Sequence, residues 1–308
     1  MIANNFGKLY LIPNLLGATK PEQVLPEGTL QIVKRLKHFV VENTRTTRRV
    51  LSRIGMNSPI DDIEFIELDK HDARNLDLME HLGACLQGED MGLMSEAGTP
   101  CVADPGALVV DLAHTAGIQV IPLVGPNAMI LALMASGFNG QAFAFHGYLP
   151  IKSPERQNAI KDLERRSLAN NETELFIETP FRNNAMLQDL CKNLHPSTRL
   201  CIASNLTCDD EQIISQDIAS WKQFKGDLNK KPAVFLIYSE ARRSFQHRRN
   251  CFQAIGFQDK ETATAFFFLF TLRTACTASR RAASYAPASA RAPRSIPCCF
   301  GCRCSFSY

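Results

Sequence analysis

Within residues 92–150, two short apolar runs each lead directly into a loop that contains glycine and proline, and a helical pattern separates the two. The first loop reads SEAGTPCVADPG and the second reads PLVGPNA. Short apolar runs bounded by such residues are typical of buried strands, so the segment predicts strand, loop, helix, strand and loop in that order. Small ligands of α/β proteins bind at the carboxyl ends of parallel strands, where such loops begin. The segment therefore predicts a ligand site together with a fold class.

The first 122 residues alternate strand patterns with helix patterns. The predicted strands cover 9–12, 39–43, 63–68 and 90–95, and the predicted helices begin at 30, 44 and 73. Three prolines within 13–26 predict a loop after the first strand. In the helix over 44–55, Thr44 is the predicted N-cap and Gly55 is the residue that ends the helix. Such alternation indicates parallel α/β layers.

From residue 123 onward, helices and strands alternate less strictly. The predicted elements are, in chain order, a helix after Gly125, a helix over 155–168, a strand at 174–179, a turn at Pro180, a helix over 183–194, a strand at 199–204, a polar hairpin region at 205–218 and a strand at 233–238. Residues 172–238 therefore predict a mixed sheet with antiparallel edges. We predict an α/β protein with a parallel-sheet domain at 1–122 and a mixed-sheet domain at 123–238.

Charge is distributed unevenly along the chain. The formal net charge is +3, yet residues 241–308 hold 11 Lys and Arg residues and only two acids. Residues 1–240 therefore carry 23 basic and 29 acidic residues, a net charge of −6. Proteins that contact many nucleic-acid phosphates usually present a basic face, so binding of RNA requires a local patch here. The candidate patch is the cluster Arg45, Arg48, Arg49 and Arg53.

The chain lacks the patterns of membrane insertion and secretion. No apolar run is long enough to span a bilayer, and the first residues lack the basic and long apolar regions of a signal peptide. We therefore expect a cytoplasmic protein. The five cysteines between 85 and 208 lack metal-ligand spacing, as expected of small buried residues in a reducing compartment. No metal site is predicted among them.

Residues 239–308 form a low-complexity, basic and cysteine-rich tail. Ala, Arg, Ser, Pro and Cys dominate its last part, a composition that does not build a packed core. The crowded cysteines at 298, 299, 302 and 304 lack the usual spacing of zinc fingers, which makes a zinc site the less favoured interpretation. We interpret the tail as a disordered or non-native extension, with a basic RNA-binding arm as the alternative.

Six strings of the chain together resemble a known family. VENTRTTRRVLSRIG, SEAGTPCVADPG, PLVGPNA, ALMASGF, HGYLP and ETPFR occur in this order. Over roughly residues 7–238 the chain resembles the tetrapyrrole (corrin/porphyrin) methylase superfamily, and most closely its branch that methylates the ribose 2′-hydroxyl of a cytidine in small-subunit ribosomal RNA. The resemblance implies a class III methyltransferase that binds S-adenosyl-L-methionine (SAM) in a cleft between two α/β domains, acts on RNA and forms a homodimer.

The resemblance also implies which residues bind the cofactor. They are Gly98, Thr99 and Val102 in the first loop, Asn127 and Ala128 in the second, and Pro13, Phe176, Thr179 and Ala203 at other strand ends. Glycine at 98, 106 and 125 permits a close approach of the backbone to a ligand. The alternatives are a tight turn for the first loop, an N-cap role for Asn127 and ordinary core positions for Phe176 and Ala203.

Two segments differ from the pattern of these relatives. PNLLGATKP stands where the relatives carry a sequence close to GTPIGNL, and SNLTCDDEQ stands where they carry a sequence close to RELTKKFEE. The first difference alters the loop that helps to frame the substrate entrance. The second removes positive charge that is expected near RNA. Both differences therefore concern the substrate rather than the cofactor.

Methyl transfer from a sulfonium requires that the acceptor is held in line with the methyl carbon, and a ribose hydroxyl also benefits from a general base. Glu178 and Asp104 are the candidate bases, and Arg182 is the candidate to orient a phosphate or to pair with Glu178. The candidate substrate contacts are Glu42, Arg45 and Arg49. The alternatives are a strand-end salt bridge, a helix N-cap and a solvated helix face.

Two other functions stay open at this point. A tetrapyrrole or corrinoid C-methyltransferase would share the fold and the cofactor but needs a broad apolar trough for a macrocycle, and the string TRTTRR disfavours it. A SAM-binding regulatory protein without transferase activity is the second alternative. The altered first loop and the acidic body are compatible with that alternative.

Overall fold

The computed structural model of the chain describes residues 5–68 and 77–240, which contain two five-stranded sheets. The described residues fall within one compact unit, Met1–Arg242. The predicted boundary after residue 122 therefore stays a prediction. The interpretation of the tail concerns residues that, apart from 239 and 240, lie outside the described ranges. Within those ranges, no helix combines the length and the apolarity that a membrane crossing requires.

The first sheet is parallel throughout, as the alternation of patterns predicts. Its strands are β1 (Lys8–Ile12), β2 (His38–Val41), β3 (Glu64–Glu67), β4 (Met91–Met94) and β5 (Gln119–Pro122), in the spatial order β3-β2-β4-β1-β5. The helices of this half are α1 (Pro21–Val24), α2 (Glu27–Arg35), α3 (Thr44–Ile54), α4 (Leu78–Leu86) and α5 (Gly106–Thr115). All four residues of β4 are buried, as expected of a central parallel strand covered on both faces.

Local predictions for this half are partly confirmed and partly wrong. Gly55, with φ +78°, ends α3 as predicted. The N-cap of α3 is Asn43 rather than Thr44, because the Asn43 side chain accepts a hydrogen bond from the Thr46 N–H at 3.0 Å. The loop predicted over 13–26 contains α1, since proline is tolerated at the first helical position, where its missing N–H is not needed. The first residues of the helix predicted over 73–88 lie outside the described ranges.

The second sheet is mixed, as predicted. Its strands are β6 (Phe143–Tyr148), β7 (Thr173–Ile177), β8 (Arg199–Ser204), β9 (Gln212–Asp217) and β10 (Ala233–Tyr238), in the spatial order β6-β7-β10-β8-β9. β6 and β7 run parallel, and the other neighbouring pairs are antiparallel. The helices of this half are α6 (Ala128–Ser136), α7 (Ser153–Asn170), α8 (Asn183–Asn193) and α9 (Ile218–Trp221).

The sequence patterns do not predict β6. This strand lies at the sheet edge, and its pairing with β7 shifts register between Phe145 and Tyr148, where Gly147 has φ +64°. An interrupted edge strand lacks the clean alternation of buried and exposed residues that identifies a strand in sequence. Its last residue pairs with Ile177 at the end of β7. β6 therefore brings Tyr148 to the same end of the sheet as the carboxyl end of β7.

The second sheet is covered on both faces, and successive residues of its central strands point to opposite sides. Phe176 and Phe235 stack with ring centroids 5.2 Å apart, in a core that α7 and α8 complete. Leu175 and Leu236 belong to the core on the other face, which α6 covers. This alternation decides which strand residues face the cavity that lies between the two sheets.

Candidate active site

The loops that follow β1 and β4 meet where the direction of the chain across the first sheet reverses. From β1 the chain proceeds to β2 on one side, whereas from β4 it proceeds to β5 on the other. A crevice for ligands opens at such a point in an α/β sheet. Asn14 and Gly98 bridge the two loops, because the Asn14 N–H donates to the Gly98 carbonyl at 2.8 Å and the Gly98 N–H donates to the Asn14 carbonyl at 3.2 Å.

Asn14 holds the loop after β4 with its side chain as well. Its Nδ2 donates to the carbonyls of Ser95 at 2.9 Å and Glu96 at 3.0 Å, and its Oδ1 accepts from the Leu15 N–H at 2.7 Å. The residue is buried, so these bonds satisfy groups that water does not reach. The sequence identifies Asn14 only as part of a segment that differs from the relatives. The available signal is a polar side chain two residues after a buried strand.

The loop after β4 is strained and is held in place by Asp104. Gly98 has φ +70°, and the non-glycine residues Cys101 and Ala103 have φ 68° and 65°. Such left-handed backbone persists only where surrounding contacts enforce it. The Asp104 Oδ1 accepts from the N–H groups of Cys101 at 2.9 Å and Gly106 at 2.8 Å. The Asp104 Oδ2 is buried and has no hydrogen-bond partner in the described structure.

The second glycine-containing loop packs against the first through Gly125 and Asn127. A Cβ at Gly125 would lie 2.2 Å from the Cγ of Pro13, so glycine is required for this approach. The Asn127 Oδ1 accepts from the Ile130 N–H at 3.0 Å and caps α6, while its Nδ2 donates to the Thr99 hydroxyl. Asn127 therefore acts as an N-cap and also connects the two loops.

The second sheet supplies the opposite wall of the cavity. The register pairs Val234 of β10 with Ile177 on one side and with Ala203 on the other, so these residues form a row across three strands. All three line the cavity. Phe176 precedes Ile177 and lies fully buried on the other face of the sheet. Of the two neighbours, Ile177 therefore lines the cavity and Phe176, which is predicted to contact the cofactor, does not.

The cavity between these walls has a volume of about 430 Å³, within the range of small-ligand sites. Of the residues predicted for the site, it is lined by Gly98, Thr99, Val102, Asp104, Asn127, Ala128, Glu178, Ala203 and Glu42. Thirteen further residues line it that are not among the predicted site residues: Leu16, Ser95, Glu96, Ala97, Ala103, Met129, Tyr148, Ile177, Pro180, Leu206, Pro232, Ala233 and Val234. Most of these residues are small or apolar, and their types alone carry no signal of a site.

Several predicted site residues lie beside the cavity rather than in its lining. Pro13 packs behind Gly125, and the Thr179 N–H donates to the Glu178 Oε1 at 2.6 Å. Arg182 also reaches the cavity only through Glu178, to which its Nε donates at 2.9 Å. Each of these residues supports a residue of the lining.

Glu178 presents one carboxylate oxygen that the protein leaves available. Its side chain is 1% exposed. The described hydrogen bonds from Thr179 and from both Arg182 nitrogens all end on Oε1. The two guanidinium nitrogens, both bound to this one oxygen, hold the carboxylate in place through charge-assisted hydrogen bonds. Oε2 is therefore the atom of Glu178 that can accept a proton or a hydrogen bond from a ligand.

The described lining of the cavity is acidic. It contains the carboxylates of Glu42, Glu96, Asp104 and Glu178 and no Lys, Arg or His side chain. The Glu42 Oε2 accepts from the Glu96 N–H at 2.8 Å, which joins the end of β2 to the loop after β4. Partly buried carboxylates interact favourably with a cation in a site of low dielectric constant. The cavity therefore suits a positively charged ligand.

The four arginines of α3 differ in their surroundings. Arg48 pairs with Asp61, with its guanidinium 5.7 Å from the centre of the Phe65 ring, and Arg53 donates to the Thr19 carbonyl. Arg45 and Arg49 are exposed on the same face of the helix, four residues apart. Two of the four arginines thus stabilise the fold, and the other two stay available for a ligand on the surface.

Cys101 lies in the strained loop next to the cavity, but its chemistry is not that of a nucleophile. Burial, with a smaller contribution from the Asp104 charge, raises the pKa of the Cys101 thiol to about 12. The thiol therefore stays protonated at neutral pH, and only the thiolate is a strong nucleophile. Among residues 5–68 and 77–240, no group of three or more His, Cys, Asp or Glu side chains is placed to hold a metal ion.

Comparisons with known proteins agree on one family. A family model described as Tetrapyrrole (Corrin/Porphyrin) Methylases matches residues 21–221. The protein "Ribosomal RNA small subunit methyltransferase I" of Escherichia coli O157:H7 is 31% identical over 245 residues, which cover 78% of this chain and 80% of that protein. The protein of the same name from Vibrio cholerae serotype O1 is 28% identical over 240 residues, with 77% and 79% covered.

One solved structure supports the fold alone. The crystal structure of the methyltransferase CobJ superposes with a TM-score of 0.50, covers 76% of this chain and 94% of its own, and is 14% identical. At that identity the likeness concerns the arrangement of the two sheets. The chemistry of the site has to be argued from the residues that line the cavity.

Proposed function

Because the chain belongs to the tetrapyrrole (corrin/porphyrin) methylase family, we propose that it transfers the methyl group of SAM to a ribose 2′-hydroxyl of small-subunit ribosomal RNA. The observation that carries the proposal is the cavity in which the SEAGTPCVADPG and GPNA loops face the Glu178 carboxylate. The names of relatives that are 31% and 28% identical support the choice of RNA as acceptor. A substrate on the ribosome also supports the expectation of a cytoplasmic protein.

The residues of the cavity fit SAM, which supplies an electrophilic methyl group on a sulfonium cation. The Asp104 Oδ2 is a buried acceptor without a partner in the described structure, and three further carboxylates line the same cavity. Gly98, with φ +70°, exposes backbone next to the cavity without a side chain. We propose that Gly98, Thr99, Val102, Asn127, Ala128 and Ala203 contact the cofactor directly and that Pro13 and Thr179 support this site.

Glu178 is the proposed general base for the acceptor hydroxyl. A ribose hydroxyl is a weak nucleophile, and removal of its proton during attack lowers the barrier. Its proton passes to the Glu178 Oε2, while Arg182 holds Oε1 and keeps the carboxylate oriented. Most of the remaining acceleration comes from holding the acceptor oxygen about 3–3.5 Å from the methyl carbon and in line with it. We propose that the negative charge of Asp104 stabilises the bound cofactor electrostatically, since its Oδ1 is occupied by two N–H groups.

Arg45 and Arg49 are the proposed phosphate contacts next to the cavity. Both are exposed on α3, which begins two residues after Glu42, a residue of the lining. A basic pair outside an acidic cavity is compatible with a ligand whose phosphates stay on the surface while its ribose enters. Glu42, which is tied to the Glu96 N–H, is proposed to border the acceptor.

We also propose that the chain acts as a homodimer through the outer face of α6. The sequence of α6, AMILALMAS, is apolar on all sides. Ile130 and Met134, one turn apart, are 42% and 74% exposed. A helix that is apolar on every face is normally buried, so a second copy is the proposed cover. Light scattering after size-exclusion chromatography should give the mass of two chains for the protein and of one chain for Met134→Asp.

The proposed activity is tested by label transfer with the full chain. Small ribosomal subunits assembled from unmodified rRNA are incubated with SAM that carries a tritiated methyl group, and the rRNA is then hydrolysed in alkali. Because a 2′-O-methyl group protects the adjacent phosphodiester, label is expected in alkali-resistant dinucleotides. Label in a corrinoid acceptor instead would favour the tetrapyrrole enzyme. Calorimetric binding of SAM without transfer to either acceptor would favour a regulatory protein.

A further inference from the structure

Two exposed aromatic side chains lie next to the cavity. Phe181 is 74% exposed and Tyr148 is 60% exposed. In the described residues, Phe143 is the third aromatic side chain that is exposed, at 44%. A single exposed apolar residue is ordinary, but two large aromatic rings beside one polar cavity indicate a surface that another molecule covers.

The backbone explains why these two rings share one region of the surface. Tyr148 ends β6 and pairs with Ile177, the last residue of β7. The chain then passes through Glu178 into the short 3₁₀ turn Pro180–Arg182, which presents Phe181. Tyr148, Glu178 and Pro180 all line the cavity. Tyr148 therefore lies in the lining, and Phe181 directly follows a lining residue, on the side of the proposed base.

Two lysines adjoin the same turn. The Lys230 N–H donates to the Pro180 carbonyl at 3.0 Å, and the Lys231 carbonyl accepts from the Asn183 Nδ2 at 2.7 Å. These bonds attach Lys230 and Lys231 to the chain on both sides of Phe181. The next residue, Pro232, lines the cavity. The segments that border the cavity here therefore carry exposed aromatic residues and two lysines, with Asp227 close enough to Lys231 for their charges to interact, whereas the described lining contains only acidic charged groups.

This separation of charge and aromatic surface fits a single-stranded polynucleotide. Proteins bind unpaired strands through basic side chains that follow the phosphates and aromatic side chains on which bases stack. A ribose inside a helix is held between paired and stacked neighbours, so presentation of its 2′-hydroxyl inside a cavity is favoured when the nucleotide is unpaired. An acidic lining repels phosphates and keeps them at the edge.

We propose that Phe181 and Tyr148 form a stacking surface for unpaired RNA bases next to the acceptor ribose, and that Lys230 and Lys231 contact the phosphates of that strand. The proposal rests on the proposed function and narrows it, because it makes an unpaired strand the form of RNA that binds. Phe181 contributes most to the stacking, since its ring is the more exposed of the two and its chain neighbour Pro180 is hydrogen-bonded to the Lys230 backbone. Tyr148 supplies the part of the stacking surface that lines the cavity itself.

The test uses an oligoribonucleotide of about eight nucleotides with one 2-aminopurine, the fluorescence of which is quenched by stacking. The full chain should quench the fluorescence on binding. Phe181→Leu, which keeps an apolar side chain but removes the ring, should weaken binding about tenfold and abolish most of the quenching. Phe181→Trp should retain both. Leu168→Ala, at an exposed apolar position on α7, is the matched control and should bind as the unaltered protein does.

A second measurement concerns the lysines. Lys230→Gln with Lys231→Gln should weaken binding at every base composition and reduce the dependence of affinity on salt, because fewer phosphates are neutralised. In both sets of variants the calorimetric affinity for SAM should be unchanged. Equal affinity and quenching for Phe181→Leu and the unaltered protein would overturn the inference, as would a failure of the unaltered protein to bind the oligoribonucleotide.

The outcomes separate this inference from the proposed function. If the unaltered protein labels rRNA and Phe181→Leu labels it with the same kcat/KM, the stacking surface is refuted while the methyltransferase stands. If the oligoribonucleotide binds with the expected dependence on Phe181 but no acceptor RNA is labelled, the proposed reaction is refuted while the single-strand surface stands.

Discussion

The two walls of the cavity are built in different ways. The wall from the first sheet consists of loops that hydrogen bonds hold together, such as those of Asn14 with Gly98 and Ser95. The wall from the second sheet consists mainly of strand ends, where the register places Ile177, Val234 and Ala203 in a row. The shape of the loop wall is set by the hydrogen bonds of particular residues. The composition of the strand wall is set by which side chains of each strand point to the cavity. The loop wall is therefore recognisable as sequence motifs, whereas the sequence does not reveal which strand residues of the second wall face the cavity.

The largest effect is expected at the one carboxylate that the second wall presents. Glu178→Gln keeps the shape and an oxygen for the bonds from Arg182 but removes the proton acceptor, so kcat for rRNA should fall by at least about 100-fold. The calorimetric affinity for SAM should stay unchanged, since most of the proposed cofactor contacts lie on the first wall. A variant with normal kcat would show that methyl transfer here proceeds without this base.

The first wall should be sensitive to Asn14. Asn14→Ala removes the donor to the buried Ser95 carbonyl and to the Glu96 carbonyl, and it should lower the free energy of unfolding by about 2 kcal/mol and weaken SAM binding. Urea denaturation and calorimetry measure the two effects. Asn57→Ala, at an exposed position, is the matched control and should change neither. If the Asn14→Ala protein is destabilised but binds SAM with unaltered affinity, the Asn14 contacts between the two loops are not needed for cofactor binding.

Two glycine substitutions compare a tight contact in the first wall with an open position on a helix. Gly125→Ala places a Cβ 2.2 Å from the Pro13 Cγ, and a proline ring cannot rotate away, so the free energy of unfolding should fall by about 1–2 kcal/mol. Gly28→Ala, in α2 with nothing within 4 Å of its new Cβ, should instead raise it by about 0.5–1 kcal/mol. Thermal unfolding of both variants measures the two changes in the free energy of unfolding. Effects of the same sign would mean that the contact between Pro13 and Gly125 is not tight.

The smallest effect concerns the Cys101 thiol of the first wall. Since its pKa is raised to about 12, iodoacetamide should modify it very slowly at about pH 8 in the native protein. Asp104→Asn removes the second cause of the raised pKa, and the alkylation rate should rise by less than about tenfold. Peptide mass spectrometry distinguishes Cys101 from the other cysteines. Rapid alkylation of Cys101 in the unaltered protein would contradict its burial.

Much of the fold follows from local patterns, and the failures have physical causes. β8 and β10 have the predicted ends, because each is a strongly apolar run bounded by polar or proline residues. β6 was missed because an edge strand is half exposed and interrupted at Gly147. The cap of α3 was placed at Thr44 although Asn43, an equally suitable side chain, is the residue that accepts the Thr46 N–H. A choice between two adjacent capping residues depends on backbone angles.

The residues of the site also differ in how far the sequence predicts them. Gly98, Asn127 and Glu178 line the cavity, and each stands in a string that carries the resemblance, SEAGTPCVADPG, PLVGPNA or ETPFR. Phe176 and Ile177 are both apolar residues of one strand, and only the register with β10 decides that Ile177 faces α6 and the cavity. The sequence does not reveal the role of Asn14, because its partners lie more than 80 positions away in the chain.

The amino-acid sequence by itself determined the alternation of strands and helices, the two glycine-containing loops and the membership of the family, since each depends on residues close together in the chain. The tertiary structure decided which carboxylates converge on one cavity, which oxygen of Glu178 stays available, and that Phe181 and Lys230 adjoin its edge. The physical reason is that strand pairing brings distant residues together. Pairing register and side-chain direction are properties of the packed sheets rather than of any single segment.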